Sequence, residues 1–242
     1  MIRLAAVGDL HFGPDLQGTF RPAVERLAEL ADALLIAGDL TRLGDPDEAK
    51  FLAEELAEAP VPVVAVLGNH DYQSDREDDV RSVMEGAGVR VLEGDGTILE
   101  ANGSRVGVAG VKGFGGGFAG AHGTEFGEPE MKAFVRHART VADRLECALV
   151  ALECDLKVAL THYAPIDATL RGERPEIFPF LGSYLLAEAL DRSGTALAIH
   201  GHAHLGTEKG VTPGGAHVRN VAHTVIRRPY NVYCLGAGGS VE

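Results

Sequence analysis

Three short apolar runs in the first third of the chain each stop at a glycine followed by a polar, chelating residue. Ile2–Val7 runs into Gly8-Asp9, Ala33–Ala37 into Gly38-Asp39, and Val61–Leu67 into Gly68-Asn69-His70-Asp71. Amphipathic stretches separate them. Pro22 opens one that reaches about Asp32 and carries Val24, Leu27, Leu30 and Ala31 on one face. Asp45 and Pro46 supply an N-cap and first-turn pair for a second, to about Ala59, and a third helix is expected around Asp75–Gly86. This alternation predicts parallel strands joined by right-handed crossovers, since parallel neighbours need a long return path. Open sheets of this kind hold ligands beyond the carboxyl ends of their strands, where all three polar fragments fall.

Further along, Arg90–Leu92, Thr97–Glu100 and Val106–Ala109 read as short strands. Pro129 starts the longest helical pattern, to about Leu152. Leu156–Leu160 and Thr195–Ile199 are apolar runs that lead into histidine-bearing loops. Val211–Leu235 alternates like a closing antiparallel hairpin. No repeat or linker interrupts the 242 residues, so 1–242 is expected to form one α/β domain with a second sheet built from the later strands.

Composition narrows the partners. With 35 acidic against 22 basic residues, the net charge of −13 disfavours a clamp on an extended nucleic acid, which needs dense Lys and Arg. A small anionic substrate remains compatible, because bound cations invert the local field. No run approaches the roughly 18–20 apolar residues of a membrane span. Met1–Val7 leads straight into Gly-Asp and not into a cleavage site, so no membrane partner and a cytoplasmic location are expected. Cys147, Cys154 and Cys234 form no CxxC pair and are expected to be buried reduced thiols.

The polar fragments extend through the chain: Asp9-Leu10-His11, Gly38-Asp39, Gly68-Asn69-His70-Asp71, a lone His162, and His200-Gly201-His202-Ala203-His204. Taken singly, each has an ordinary reading as turn cap or loop histidine. Together, four imidazoles, two carboxylates and an amide oxygen are a set that two divalent metals would need. The i, i+2 spacing of Asp9 and His11 puts both side chains on one side of an extended chain. Asp39 has two oxygens and can bridge two cations. Asp71 is a candidate to orient His70, as carboxylates often orient functional imidazoles.

In this order the fragments resemble the calcineurin-like metallophosphoesterase family, whose pattern is D-x-H, GD-x-x-x-x-G, GN-H-[DE], a lone His and G-H-x-H. Asp9/His11, Gly38-Asp39 to Gly44, Gly68 to Asp71, His162 and Gly201 to His204 match every block. The resemblance implies a sandwich of two mixed β-sheets flanked by helices. It implies that Asp9, His11 and His204 hold one metal, that Asn69, His162 and His202 hold another, and that Asp39 bridges them. His70 would be the catalytic proton donor. Manganese, iron or zinc is the expected metal, and hydroxide from a shared water would attack a phosphoester. His200 has no place in the pattern and is expected to be structural.

A small phosphodiester of the cyclic nucleotide kind is the expected substrate, by analogy with the family. A phosphomonoester, or a non-catalytic metal-binding scaffold, is the alternative. Two segments are candidates for substrate contact: 112–127, a glycine-rich stretch read as a lid, and 163–183, where Arg171 or Arg174 would meet a phosphate.

Overall fold

The structure is a computed structural model that describes residues 1–236 and 239–241. The first third folds as β1 (Ile2–Val7), α1 (Arg21–Glu25), α2 (Leu27–Leu30), β2 (Ala33–Ala37), α3 (Pro46–Leu56), β3 (Val63–Val66), α4 (Glu77–Gly86) and β4 (Arg90–Val91). There follow β5 (Asp95–Ala101), β6 (Ser104–Val111), β7 (Gly117–Phe118), β8 (Ala121–His122), α5 (Pro129–Ala151), β9 (Leu156–Thr161), α6 (Phe178–Leu181) and α7 (Tyr184–Ser193). The chain closes with β10 (Leu197–His200), β11 (Lys209–Val211), β12 (His217–Asn220), α8 (His223–Ile226) and β13 (Asn231–Leu235).

Two mixed sheets face one another. The first has the order β13-β1-β2-β3-β4, with β13 antiparallel beside four parallel strands. The second has the order β11-β12-β10-β9-β6-β5, parallel except at its two edges. Side-chain alternation sends Val106, Val108, Val158, Leu160, Leu197 and Ile199 into the core shared with the first sheet. Their neighbours Ala109, Val111, Ala159 and Ala198 point the other way, into a second core with Leu145 and Leu149 of α5 and Leu186 and Leu190 of α7. Val24, Leu27, Leu52, Leu56, Val80 and Met84 of α1 to α4 cover the outer face of the first sheet. The layers are therefore helix, sheet, sheet, helix. Among the described residues no helix is long and apolar enough to cross a membrane.

Several expectations change in detail. The helix expected over 22–32 is split at Arg26, whose ψ of −5° departs from the usual α-helical value of about −42°. β3 begins at Val63 because Pro62 has no N–H for the ladder. Two of the expected short strands are longer, and Asn102-Gly103 joins them with φ of 53° and 75°, as a two-residue hairpin turn requires.

The closing hairpin over 211–235 is corrected. β11 and β12 pair with each other antiparallel, whereas β13 crosses to the first sheet and pairs antiparallel with β1. The switch occurs at the rim, where Gly8 N donates to Val221 O and His223 N donates to Gly8 O, both at 2.9 Å. These bonds turn the chain onto the open edge of β1. The cysteines are corrected too: all three are free, but Cys147 is exposed and Cys154 and Cys234 are half-buried. Cys147 sits on the outward side of α5, whose inward side carries Ala148 and Leu149.

Candidate metal centre

Both sheets end on one rim. The loops after β1, β2 and β3 come from the first sheet, and those after β9 and β10 from the second. Backbone bonds continue the strand pairing into the loops: Asp9 N donates to Gly38 O and His11 N to Asp39 O, both at 3.0 Å. Asp9, His11, Asp39 and His202 all adopt positive φ, from 44° to 69°. Left-handed backbone costs a non-glycine residue about 1–2 kcal/mol, so four such residues on one rim mark strain kept for a purpose. The neighbouring glycines make room. A β-carbon at Gly68 would overlap the Asp39 carboxylate, one at Gly201 would overlap that of Asp9, and one at Gly38 would lie 2.6 Å from His162 Nδ1.

The side chains form two groups with one shared member. Asp9, His11, Asp39 and His204 each offer one atom within 4.8 Å of the others, and so do Asp39, His162 and His202. Asn69 joins the second group, its Oδ1 lying 2.9 Å from His162 Nε2. Asp39 Oδ1 is 3.3 Å from His162 Nε2, while Oδ2 is 3.7 Å from His11 Nε2. His204 Nε2 and Asp9 Oδ1 are 2.8 Å apart.

Hydrogen bonds select the ring atoms that face inward. His162 Nδ1 lies 2.9 Å from Ala37 O, which can only accept, so Nδ1 carries the proton. Its Nε2 then presents a lone pair to two oxygens, those of Asn69 and Asp39. Such a meeting of acceptors calls for a cation or a proton. His202 Nε2 faces Phe180 O at 3.3 Å, which leaves Nδ1 as the atom free to meet a cation. The donor set of buried carboxylate oxygens, imidazoles and one amide thus fits two divalent cations of N/O preference.

Burial and these contacts set the charges of the cluster. Burial pushes the Asp9 carboxyl up, but the hydrogen bond from His204 and the charges of His162 and His204 outweigh it and hold it below the usual carboxylate range. The same bond raises His204. Burial lowers His11 against the pull of Asp39 and Asp9. Burial, then His162, takes His202 down to about 3, so its imidazole stays in the neutral form a metal needs. His200 is buried apart from the cluster, with Nε2 at Thr169 Oγ1 (2.9 Å) and Nδ1 at Gly201 O (2.7 Å). Its position is that of a loop strut.

Residues 2–206 match the family profile of the calcineurin-like phosphoesterases. The chain belongs to that family. DNA double-strand break repair protein Mre11 of Aeropyrum pernix is 33% identical to it over 123 residues, 44% of this chain and 29% of that protein. The match therefore spans less than a third of that relative. Phosphopantetheinyl hydrolase from Mycobacterium tuberculosis superposes with a TM-score of 0.68 at 18% identity, covering 93% of this chain and 90% of the other. TT1561 of Thermus thermophilus gives 0.60 at 18% identity, covering 100% and 97%. At these identities the structural likeness is one of fold.

In this calcineurin-like phosphoesterase the expected Asp71–His70 contact is corrected. Asp71 accepts from Leu40 N (3.1 Å), Thr41 N (2.8 Å), Thr41 Oγ1 (2.7 Å) and Gly68 N (2.8 Å), and so ties the loop after β2 to the loop after β3. His70 Nδ1 donates instead to Arg42 O, at 2.6 Å. The two side chains diverge because Asn69 caps a short 3₁₀ turn that aims successive residues apart. Asp71→Asn would place an amide N–H₂ against donors and is expected to lower stability by about 1–3 kcal/mol in a thermal melt. A melt equal to wild type would remove this structural role.

The substrate loops also gain definition. Arg171 and Arg174 are exposed, and among the described residues neither makes an ion pair. Glu173 between them accepts from Leu205 N at 2.7 Å, which anchors that loop beside His204. The glycine-rich segment is not a loose lid: Gly116 N donates to Pro179 O (2.7 Å) and Gly117 N to Gly182 O (2.9 Å). Its glycines permit this backbone approach, a β-carbon at Gly115 coming 2.6 Å from Pro179 O.

Lys112 was not singled out by the motifs. Its half-buried ammonium lies 4.5, 5.4 and 5.5 Å from the ring centroids of Tyr72, Phe114 and Tyr163. Tyr163 in turn packs on His202, with centroids 4.4 Å apart. Burial lowers the Lys112 pKa, against Glu93 and Glu77. The available signal was a lysine directly after the apolar strand that ends at Val111.

Proposed function

We propose that this chain, as one domain of residues 1–242, is a metal-dependent phosphohydrolase acting on a small phosphodiester of the cyclic nucleotide kind in the cytoplasm. The observation that carries the reading is the sharing of Asp39 between two ligand groups. Asp9, His11 and His204 would hold one cation, Asn69, His162 and His202 the other, and Asp39 both. Manganese, iron or zinc suits these donors. Two such cations supply Lewis acidity at the phosphoryl oxygens and lower the pKa of a shared water.

The protein's own groups do the rest. With Nδ1–H held by Arg42 O, the Nε2 of His70 is the atom left to gain and release a proton. It lies 3.9 Å from Asp39 Oδ2, on a side chain 42% exposed, and so borders both the ligand cluster and solvent. His70 would protonate the leaving oxygen from Nε2. Lys112, together with the exposed Arg171 and Arg174, would offset substrate charge. Extended nucleic acid is not proposed, despite the Mre11 likeness, because acidic residues outnumber basic ones by 35 to 22.

His70→Ala is expected to lower turnover by about 10²–10⁴ while metal content stays at the wild-type value. The loss should be larger for esters with poor leaving groups. An equal loss for every leaving group would remove the proton-donor role. The functional test is hydrolysis of bis(p-nitrophenyl) phosphate, p-nitrophenyl phosphate and 2′,3′-cyclic AMP by protein loaded with Mn²⁺, Fe²⁺ or Zn²⁺. Cleavage of the monoester alone would overturn the diester reading. Two bound metals with no hydrolysis of any ester would favour the scaffold instead.

A further inference from the structure

A cavity of about 910 Å³ opens at one edge of the sandwich, between β13 of the first sheet, β11 and β12 of the second, and the α1–α2 pair. None of the proposed metal ligands lines it. One wall is apolar, formed by Pro22, Ala23, Leu30, Pro229 and Val232. The lining also carries four cations, Arg26 on the α1–α2 pair, Lys209, Arg219 and Arg228, in a chain whose net charge is −13. Among the described residues none of these four cations has a carboxylate within ion-pair distance.

Arg219 is the decisive group. It is only 6% exposed, because alternation along β12 turns Val218 toward the helices and Arg219 toward the opposite face. There the guanidinium lies 5.7 Å from the ring centroid of Tyr233. Nη1 donates to Val218 O at 3.0 Å, but the buried Nε has no acceptor among the described residues. A buried guanidinium without an anion is costly. The cavity's own carboxylate does not relieve it: Glu208 Oε1 accepts from Tyr233 OH (2.9 Å) and Asn231 Nδ2 (3.1 Å). The Tyr230 ring is held in place by its hydroxyl, which donates to Ala23 O at 3.0 Å. Unpaired cations, a fixed aromatic ring and apolar lining residues suit a ligand with an anionic head and a flat body, and the volume is that of a small-molecule site.

We propose that this cavity is a second binding site, separate from the metal centre, for a small organic anion of the mononucleotide class. The phosphate meets Arg219, with Lys209 and Arg228 at the mouth. The base lies against Tyr230 and the Pro22–Ala23 wall. Glu208 accepts from a ligand hydroxyl.

The test is calorimetric titration of the metal-loaded chain with an AMP analogue in which a methylene replaces the ester oxygen, so that turnover cannot intervene. Saturable binding is expected, weakened about tenfold or more by Arg219→Gln. The surface double variant Lys209→Gln/Arg228→Gln guards against misfolding of the buried variant, and is expected to weaken binding several-fold with an unchanged melt. Adenosine alone should bind far more weakly. Affinity unaltered in both variants would overturn the proposal. So would binding that is lost in His204→Ala, which would place the analogue at the metal centre, or adenosine binding as tightly as the analogue.

Discussion

Asp39→Asn is expected to remove at least one of two bound metal equivalents and to lower phosphoester turnover by about a hundredfold or more. The carboxylate is 1% exposed, with Oδ1 toward His162 and Oδ2 toward His11. The amide keeps its size but has one oxygen only. His70 N donates to Oδ1 at 2.9 Å, so the amide oxygen takes that place and the N–H₂ group replaces Oδ2. The loss should therefore fall on the group of Asp9, His11 and His204. Elemental analysis after dialysis against Mn²⁺ reads the stoichiometry. A melt reads the linked stability, about 2.7 kcal/mol at a metal concentration of 100 Kd for a site that remains intact. Two manganese ions per chain in the variant would remove Asp39 from its bridging position.

Gly68→Ala is expected to disable the centre without altering any ligand. The added methyl would overlap both the Asp39 carboxylate and its backbone nitrogen. Asp39 is tied at both places: its carboxylate is held by His70 N, and its backbone by the bond from His11 N to its carbonyl. Overpacking of this kind costs about 1–3 kcal/mol, and here the displaced group is the carboxylate common to both clusters. Loss of metal and a lowered melt are expected together. Gly86→Ala is the control, since a β-carbon there meets nothing within 4 Å in a helix, and should leave the melt unchanged or slightly raised. A Gly68→Ala protein with the wild-type melt and full metal content would show that the loop after β3 yields more readily than this geometry implies.

Local features were legible wherever chemistry and periodicity act over a few residues. Apolar runs ending in Gly-Asp or Gly-Asn marked β1, β2 and β3, and Asp45-Pro46 marked the start of α3, where Asp45 does accept from Asp47 N at 3.0 Å. The path of β13 was not legible. Alternation reports that a segment is a strand but not which strand it joins, and Asn231–Leu235 pairs with Ile2–Ala6 across the whole chain. The contacts of Asp71 are illegible for the same reason. Its partners Leu40 and Thr41 lie some thirty residues away, while the adjacent His70 only suggested a contact. Arg219 and Lys112 carry no motif, and their settings arise from packing alone.

The sequence by itself determined the kind of ligands, their order, and their placement after apolar strands. Those properties are local, since a strand end, a glycine and an imidazole are visible within five residues. Only the tertiary structure decided which ring nitrogens face inward, that four of the proposed ligands sit in left-handed backbone, and that Gly68 and Gly201 leave room for carboxylates of other loops. Asp9 and His204 are 195 positions apart, and they meet because two packed sheets share one rim. Long-range packing of that kind is set by the whole core and is written in no single motif.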